Sequence, residues 1–534
     1  MSSERPTPLS RRQFLRLLSM AAGAGASSVV LQACGGASTP ATTGPTSAPA
    51  TSAPATVPAG ARGQVIFGNA EPPTSAQWDD QTVFGLADFQ VASLVQDRLW
   101  EADESGKLIP RLATEWSYKD EKTLEITLRE GVKYHDGETF TAEDVKAVLD
   151  RVSNDSKLAH NLFWAPVQTE VVSTYKVRIG SDPAFGPLVP VLAGTNMLPK
   201  AWVAAPDKFK SGGNGVGPYR FVEYRDNRVV LEANEGYWDG SPGVKTVIFD
   251  YIEDANARLN ALLAGDVDII TRCSSQQLDA VKGNDNFYVV ENSPAISVVL
   301  LYTRDKNPAM QSEELRQAMW YAIDRKTILE KIMFGVGKYA DSIIPTSALF
   351  YEPLAEAYAY DPTKAKELLQ QSGLGSSVRL SMATSNLVPN QKEIDQAIVS
   401  YLNDVGIQVD VTTLEVGQFR TDWPQYDISL NTNGTPNGDP DFLLNFYAGE
   451  GVLGAAKAPR GEEIVRLHQE QRSKTDTAQR QQAVTAACNW LWDFQNCGVL
   501  SDELWPFITN KRVKGYKRQR SFGEPLFRYA TVES

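Results

Sequence analysis

Histidine and cysteine are scarce in this 534-residue sequence, which holds three and four of them respectively. His135, His160 and His468 are too scattered to form a recognisable zinc-ligand motif, so no metal and no cofactor is expected. Few general bases are therefore on offer, and neither a Gly-x-Ser-x-Gly elbow nor a His-Glu-x-x-His pair is present. Positive charge is also in short supply: 52 Lys and Arg stand against 65 Asp and Glu, a net charge of −13 that argues against nucleic acid as a partner. Past the N-terminal region no apolar run approaches the 18 or so residues that a membrane-spanning helix needs. What remains on the enzymatic side is a secreted hydrolase using a carboxylate pair such as Asp439 and Asp441, whose loop spacing is not diagnostic.

What is present at the start reads as an address. Arg11 and Arg12 form a twin arginine ahead of an apolar, small-residue run from about Leu17 to Ala33, the pattern of an export signal. The run ends in Leu31, Gln32, Ala33 and Cys34, where lipoprotein signal peptidase cleaves, so residues 1–33 are expected to be removed and Cys34 lipidated. Residues 35–60 are almost entirely Gly, Ala, Ser, Thr, Pro and Val; such a segment cannot bury enough apolar surface to offset its chain entropy, and 34–61 reads as a lipidated tether. The body then stands outside the cell membrane, anchored by lipid or free in the periplasm. Loss of four arginines and of Glu4 with the leader takes the net charge to −16. Among Cys273, Cys488 and Cys497, export permits at most one disulfide, with Cys488 and Cys497 the expected pair.

The remaining ~470 residues suffice for two or three packed units. Leu124, Ile126 and Leu128 alternate with polar residues, which predicts a half-buried strand, and Thr141 with Asp144 opens a helix striped by Val145, Val148, Leu149 and Val152. The pattern predicts further helices striped by Leu259, Leu262 and Leu263 and stopped by Gly265, capped by Ser312, and started by Asp361 and Pro362. Ile407, Val409 and Val411 predict a strand. Helices and strands interleave without a fixed period, so the fold class is α/β.

Six segments in order resemble a family: Leu112–Trp116 with Thr123–Arg129; LREGVKYHDGETFTAEDV from Leu128; GVGPYRF from Gly215 with Asn234, Tyr237 and Trp238; NARLNALLAGDVDII from Asn256; LRQAMWYAIDRKTI from Leu315; and YDPTKAKELLQQSG from Tyr360. The chain is similar to the extracellular solute-binding proteins of ABC importers in the dipeptide, oligopeptide and nickel group (family 5). The resemblance implies a two-lobed periplasmic-binding-protein fold with a hinge: a first lobe of 62–297 plus 505–534, an extra subdomain inserted near 100–190, and a second lobe of 298–504. It further implies a monomer that encloses a small solute between the lobes, makes and breaks no bond, and delivers the solute to importer permease subunits; a ligand-sensing accessory protein would share the same fold.

In that family ligand contacts come from the loop after the strand that corresponds to Tyr426–Leu430, which places Asn431, Asn433, Asn437, Asp439 and Asp441 at the candidate site. Trp164, in the loop Phe163–Pro166, and Asn196 are candidates from the other lobe. The His135, Asp136, Gly137 turn is structural in this family, and His468, on a polar run, reads as a surface residue. Peptide-binding relatives hold the peptide's amine with an aspartate after a small residue, where this chain has Thr435, Pro436 and Asn437. Either Asp439 or Asp441 supplies the counter-charge, or the ligand is not a free-amine peptide but an oligosaccharide, opine or nickel chelate.

Overall fold

A computed structural model describes residues 63–533 apart from 71, 74–77, 83–85, 103–106, 292–295, 355–357, 376–377, 436, 452, 504–505 and 519–524. The export signal with Arg11 and Arg12, the cleavage site at Cys34 and the tether lie outside the described residues.

Three sheets organise the chain. The first has seven strands, in the spatial order Phe287–Val290, Phe507–Asn510, Ile269–Ile270, Gln64–Asn69, Thr246–Tyr251, Arg228–Ala233 and Tyr219–Arg225. The second has six: Lys338–Tyr339, Cys497–Asp502, Ile296–Tyr302, Ile428–Gly434, Arg379–Thr384 and Gln408–Thr413. The third is a four-stranded antiparallel sheet in the spatial order Ala113–Asp120, Thr123–Leu128, Lys176–Gly180 and Gln168–Ser173. Each sheet carries its own apolar core, centred on Phe67 and Phe249, on Tyr302 and Trp320, and on Ile126 and Phe140. Burying one such side chain contributes roughly 1.5–3 kcal/mol. The chain passes between the seven- and six-stranded sheets twice, after Val290 and after Asp502, so two adjacent crossings join two lobes.

Local sequence explains the elements. Leu124, Ile126 and Leu128 are buried on one face of Thr123–Leu128, while the residues between them reach solvent. The helix Ala142–Asn154 starts where Asp144 accepts a hydrogen bond from the Thr141 backbone at 2.8 Å, and it buries Val145, Val148, Leu149 and Val152. Ser312 Oγ accepts from the Leu315 N–H at 3.1 Å at the head of Glu313–Ala322, and Asp361 caps Pro362–Gln371 in the same way. Gly265, at φ +84°, ends Ala255–Ala264 in the left-handed conformation that a side chain would resist. In that helix Leu262 is buried but Leu263 is exposed, a narrower stripe than the sequence pattern predicts.

Two expectations are corrected. Cys488, on the helix Thr477–Asp493, and Cys497, on its strand, are free buried thiols rather than a disulfide. Burial pushes both up to about 12, and Cys497 Sγ donates to the Tyr447 hydroxyl at 3.3 Å. The strand expected to end at Leu430 runs on to Gly434, because Ile296–Tyr302 pairs with its whole length; Asn431 and Asn433 are therefore strand residues, and the helix Asp441–Ala448 takes the end of the expected loop. Among the described residues no helix is long and apolar enough to cross a membrane.

Candidate functional site

The strand Ile428–Gly434 ends where the lobes meet. Its pairing with Ile296–Tyr302 is continuous, with Asn433 opposite Ser297, but Arg379–Thr384 pairs with it only at Ile428 and Ser429. Asn433 donates its amide to the Tyr447 hydroxyl and accepts from the Gly434 N–H at 2.9 Å. Asn431 Oδ1 accepts from Thr432 N–H at 2.9 Å, and Asn437 Oδ1 from Asp439 N–H at 3.1 Å. All three asparagines are half-buried. Gly438, at φ +77°, lets the backbone reverse before Asp439.

Beyond that turn the chain enters a buried ionic cluster. Both oxygens of Asp439, which is wholly buried, are held by Arg480 at 2.6 and 2.7 Å. Asp441 Oδ1 takes His468 Nε2 at 3.2 Å and the Gln471 amide, with Arg472 Nε at 3.1 Å, while Oδ2 makes no hydrogen bond. Burial alone would raise the Asp441 carboxyl, but Arg472, the His468 hydrogen bond and Arg480 outweigh it and hold it well below the usual carboxylate range. His468 is thus a buried partner and not a surface residue, and burial lowers its basicity from the ordinary imidazole value. The signal was present: Ile464, Leu467, His468 and Gln471 share one buried face of Gly461–Ser473 at helical spacing.

The cluster meets the other lobe. Arg472 Nη2 donates to the Trp164 carbonyl at 3.4 Å, and its guanidinium lies 5.0 Å from the Phe185 ring centre. The Gly186 N–H donates to the Arg472 carbonyl at 2.6 Å, and Arg480 Nη1 approaches the Gly186 carbonyl at 3.5 Å. The ring centres of Phe163 and Phe442 lie 4.7 Å apart with the planes tilted by 34°, and a Cβ on Gly194 would stand 3.0 Å from that of Asn437. Asn437 and Trp164 are thereby brought to one interface, with the Trp164 side chain itself buried. Asn196 is not part of it: it is buried in the first lobe, accepting from Arg98 Nε at 2.9 Å and donating to Asp80 at 2.7 Å. His135 Nε2 donates to the Gly217 carbonyl, 3.0 Å away, and burial lowers it to about 4, as befits a turn residue. Arg472, Arg480 and Gly186 carried no signal in the sequence, since their partners lie far away along the chain.

The family model of the bacterial extracellular solute-binding proteins, family 5, matches residues 107–454. The dipeptide-binding protein of Escherichia coli is 27% identical over 379 residues, 64% of this chain and 70% of that protein. The glutathione-binding protein of Pectobacterium atrosepticum is 30% identical over 340 residues, 61% of this chain and 65% of its own length. Heme-binding protein A of Haemophilus influenzae is 25% identical over 490 residues, 82% of this chain and 87% of its own length. In structure, a dipeptide-binding protein from a Pseudoalteromonas species, solved with Met-Leu, superposes with a TM-score of 0.78 at 21% identity, covering 88% of this chain and all of that one. A Campylobacter jejuni protein solved with a nickel–histidine complex gives 0.77 at 22% identity, over 87% and 97%. Those structures share the two-lobed fold, and with the family match spanning more than half of its length the chain belongs to the bacterial extracellular solute-binding proteins, family 5.

Proposed function

We propose that this protein captures a peptide or peptide-like solute between its lobes outside the membrane and hands it to the permease subunits of an ABC importer. In this reading the crossings after Val290 and Asp502 are the hinge, the twin arginine exports the chain, and lipid on Cys34 keeps the monomeric body close to its membrane partner. The solute shifts an open–closed equilibrium by binding the closed form better, and the permease responds to that form. The observation that carries the reading is the position of Asn437, which leaves the second-lobe sheet and abuts Gly194 of the opposite lobe. Asn431, Asn433 and Asn437 are proposed solute contacts, and Trp164 with Phe163 walls the facing side; Asp439 and Asp441 hold the turn in place through Arg480 and Arg472.

Binding without turnover fits the same cluster. A glycosidase pair needs one carboxyl that carries a proton near neutral pH, whereas the Asp441 carboxyl is held well below the usual range and both Asp439 oxygens are tied to Arg480. Thermal unfolding of residues 34–534 against di- to octapeptides, oligosaccharides, opines and nickel chelates tests the proposal. A ligand at 100 times its Kd adds about 2.7 kcal/mol, so peptides should raise Tm. A rise with a sugar or chelate and none with any peptide overturns the peptide assignment.

A further inference from the structure

One surface of the first lobe carries positive charge that the chain as a whole lacks. Residues 511–518 read KRVKGYKR, five cations with no acid among them, in a protein of net charge −13. The fold brings this stretch beside Gly63, the residue that follows the tether. Val513–Lys514 pairs antiparallel with Thr531–Val532, and a Cβ on Gly243 would stand 2.7 Å from the Ala530 carbonyl and 2.8 Å from the Thr531 side chain. Two residues further on, the Lys245 N–H donates to the Gly63 carbonyl at 2.7 Å. Lys245, Lys511, Lys514 and Lys517 are all exposed. Arg512 is held by Asp268, while Lys511 and Lys514 reach Asp285 and Glu533 at 3.6 and 3.5 Å, solvated pairs of little strength that leave both ammonium groups open to other anions. Lys245 and Lys517 have no acidic partner among the described residues. Tyr529, 53% exposed, belongs to the same surface: a Cβ on Gly515 would stand 2.6 Å from its carbonyl.

We propose that the surface formed by Lys245, Lys511, Lys514, Lys517 and Tyr529 rests on anionic lipid headgroups and sets the orientation of the body on the membrane. This rests on the lipid anchor at Cys34 and adds a second, electrostatic contact to it. An anchor fixes distance and not orientation: a tether of the length of residues 34–61 keeps Gly63 within about 30 Å of its lipid on average, whichever way the body is turned. Charge decides which side faces the bilayer. Each Lys or Arg at an anionic surface strengthens binding about fivefold and loses that effect beyond a Debye length of about 8 Å, whereas the acidic remainder of the body is repelled. Tethering raises the local concentration of the patch, so a contact too weak to recruit a free protein still orients an anchored one. An exposed tyrosine in the patch suits the headgroup layer, where rings with a polar tip collect.

The test uses the full chain produced in a bacterium, purified from its membranes and reconstituted into vesicles of phosphatidylcholine with or without about one third phosphatidylglycerol. A fluorophore on Thr531→Cys, in the patch, or on Lys392→Cys, exposed in the second lobe, reports quenching by nitroxide-labelled lipid. The Thr531→Cys label should be quenched about threefold or more strongly on the phosphatidylglycerol vesicles, and about 0.5 M salt should remove the difference. Adding Lys245→Glu, Lys514→Glu and Lys517→Glu together should abolish it as well, whereas Lys331→Glu, Lys366→Glu and Lys392→Glu, the same change of charge on the second lobe, should leave it intact. Equal quenching on both vesicles overturns the docking surface, as does a Lys392→Cys label quenched as strongly as the first, or a patch variant that behaves as the unsubstituted chain. In those cases vesicles that still float with the protein, and an acylated Cys34 by mass spectrometry, leave the anchor standing; an unmodified Cys34 overturns both. If the patch variant lacks a cooperative melt, the comparison of vesicles, salt and label positions decides alone.

Discussion

The backbone N–H of Gly186 donates to the carbonyl oxygen of Arg472 across the interface between the lobes, 2.6 Å away. A Cβ at Gly186 would overlap the Lys474 carbonyl, which is backbone and cannot swing aside. Gly186→Ala should therefore disfavour the closed form, at a cost of about 1–3 kcal/mol, roughly five- to 150-fold in solute affinity, while leaving the stability of each lobe intact. Small-angle scattering with saturating solute, compared with the wild type, reads the closure directly. Unchanged affinity and an unchanged scattering profile would show that these lobes close without this contact.

Asp439 and Arg480 pose a different question, because both are buried and each is the other's main partner. Removing one charge strands the other, so Asp439→Asn should destabilise the protein by about 3–5 kcal/mol, whereas Asp439→Asn with Arg480→Met should recover part of that loss. Urea unfolding of the two single variants, the double variant and the wild type closes the cycle. Additive effects would mean that the pair is not coupled.

The elements legible in the sequence were those whose signal is local. Thr123–Leu128 announced itself by alternation, Ala142–Asn154 by its cap and stripe, and Glu313–Ala322 by Ser312. The site was legible only in part, because its geometry is set by residues far apart: Asp439 lies 41 residues from Arg480, and Arg472 lies 308 from Trp164. A short carboxylate in a loop looks the same on paper whether it faces solvent, a ligand or a buried guanidinium. The length of Ile428–Gly434 was missed for a related reason, since Asn and Gly are poor strand formers and only pairing with Ile296–Tyr302 carries the strand through them.

Free thiols replace the expected disulfide, so reduction should change nothing. With Cys273, Cys488 and Cys497 all buried and their thiols pushed up to about 12, these three should resist thiol reagents in the native protein, and denaturation should release all three. Thiol titration before and after denaturation counts them. A Tm that falls on addition of reductant would instead establish a bond between them.

Two buried carboxyls should make stability depend on pH in an unusual direction. Burial raises Asp395 to about 7, and burial together with neighbouring Asp79 raises Asp80 to about 7, against 3.8 for an ordinary aspartate. Between about pH 4 and 7 the native protein holds protons at these positions that the unfolded chain has released, so their contribution to stability falls as pH rises through that window and is flat above it. Asp441 works in the opposite sense: its lowered carboxyl contributes fully above the ordinary aspartate range, and that contribution is lost on acidification below it. Asp395→Asn removes the charge that is costly when ionised. Its Tm should exceed that of the wild type at pH 8 by about 2–4 °C or more, and the gap should close toward pH 5, where the native carboxyl is already neutral. Thermal unfolding at pH 5, 6, 7 and 8 follows the gap directly; a gap of constant size across the series would mean that Asp395 ionises normally and that the side chain matters only through its packing.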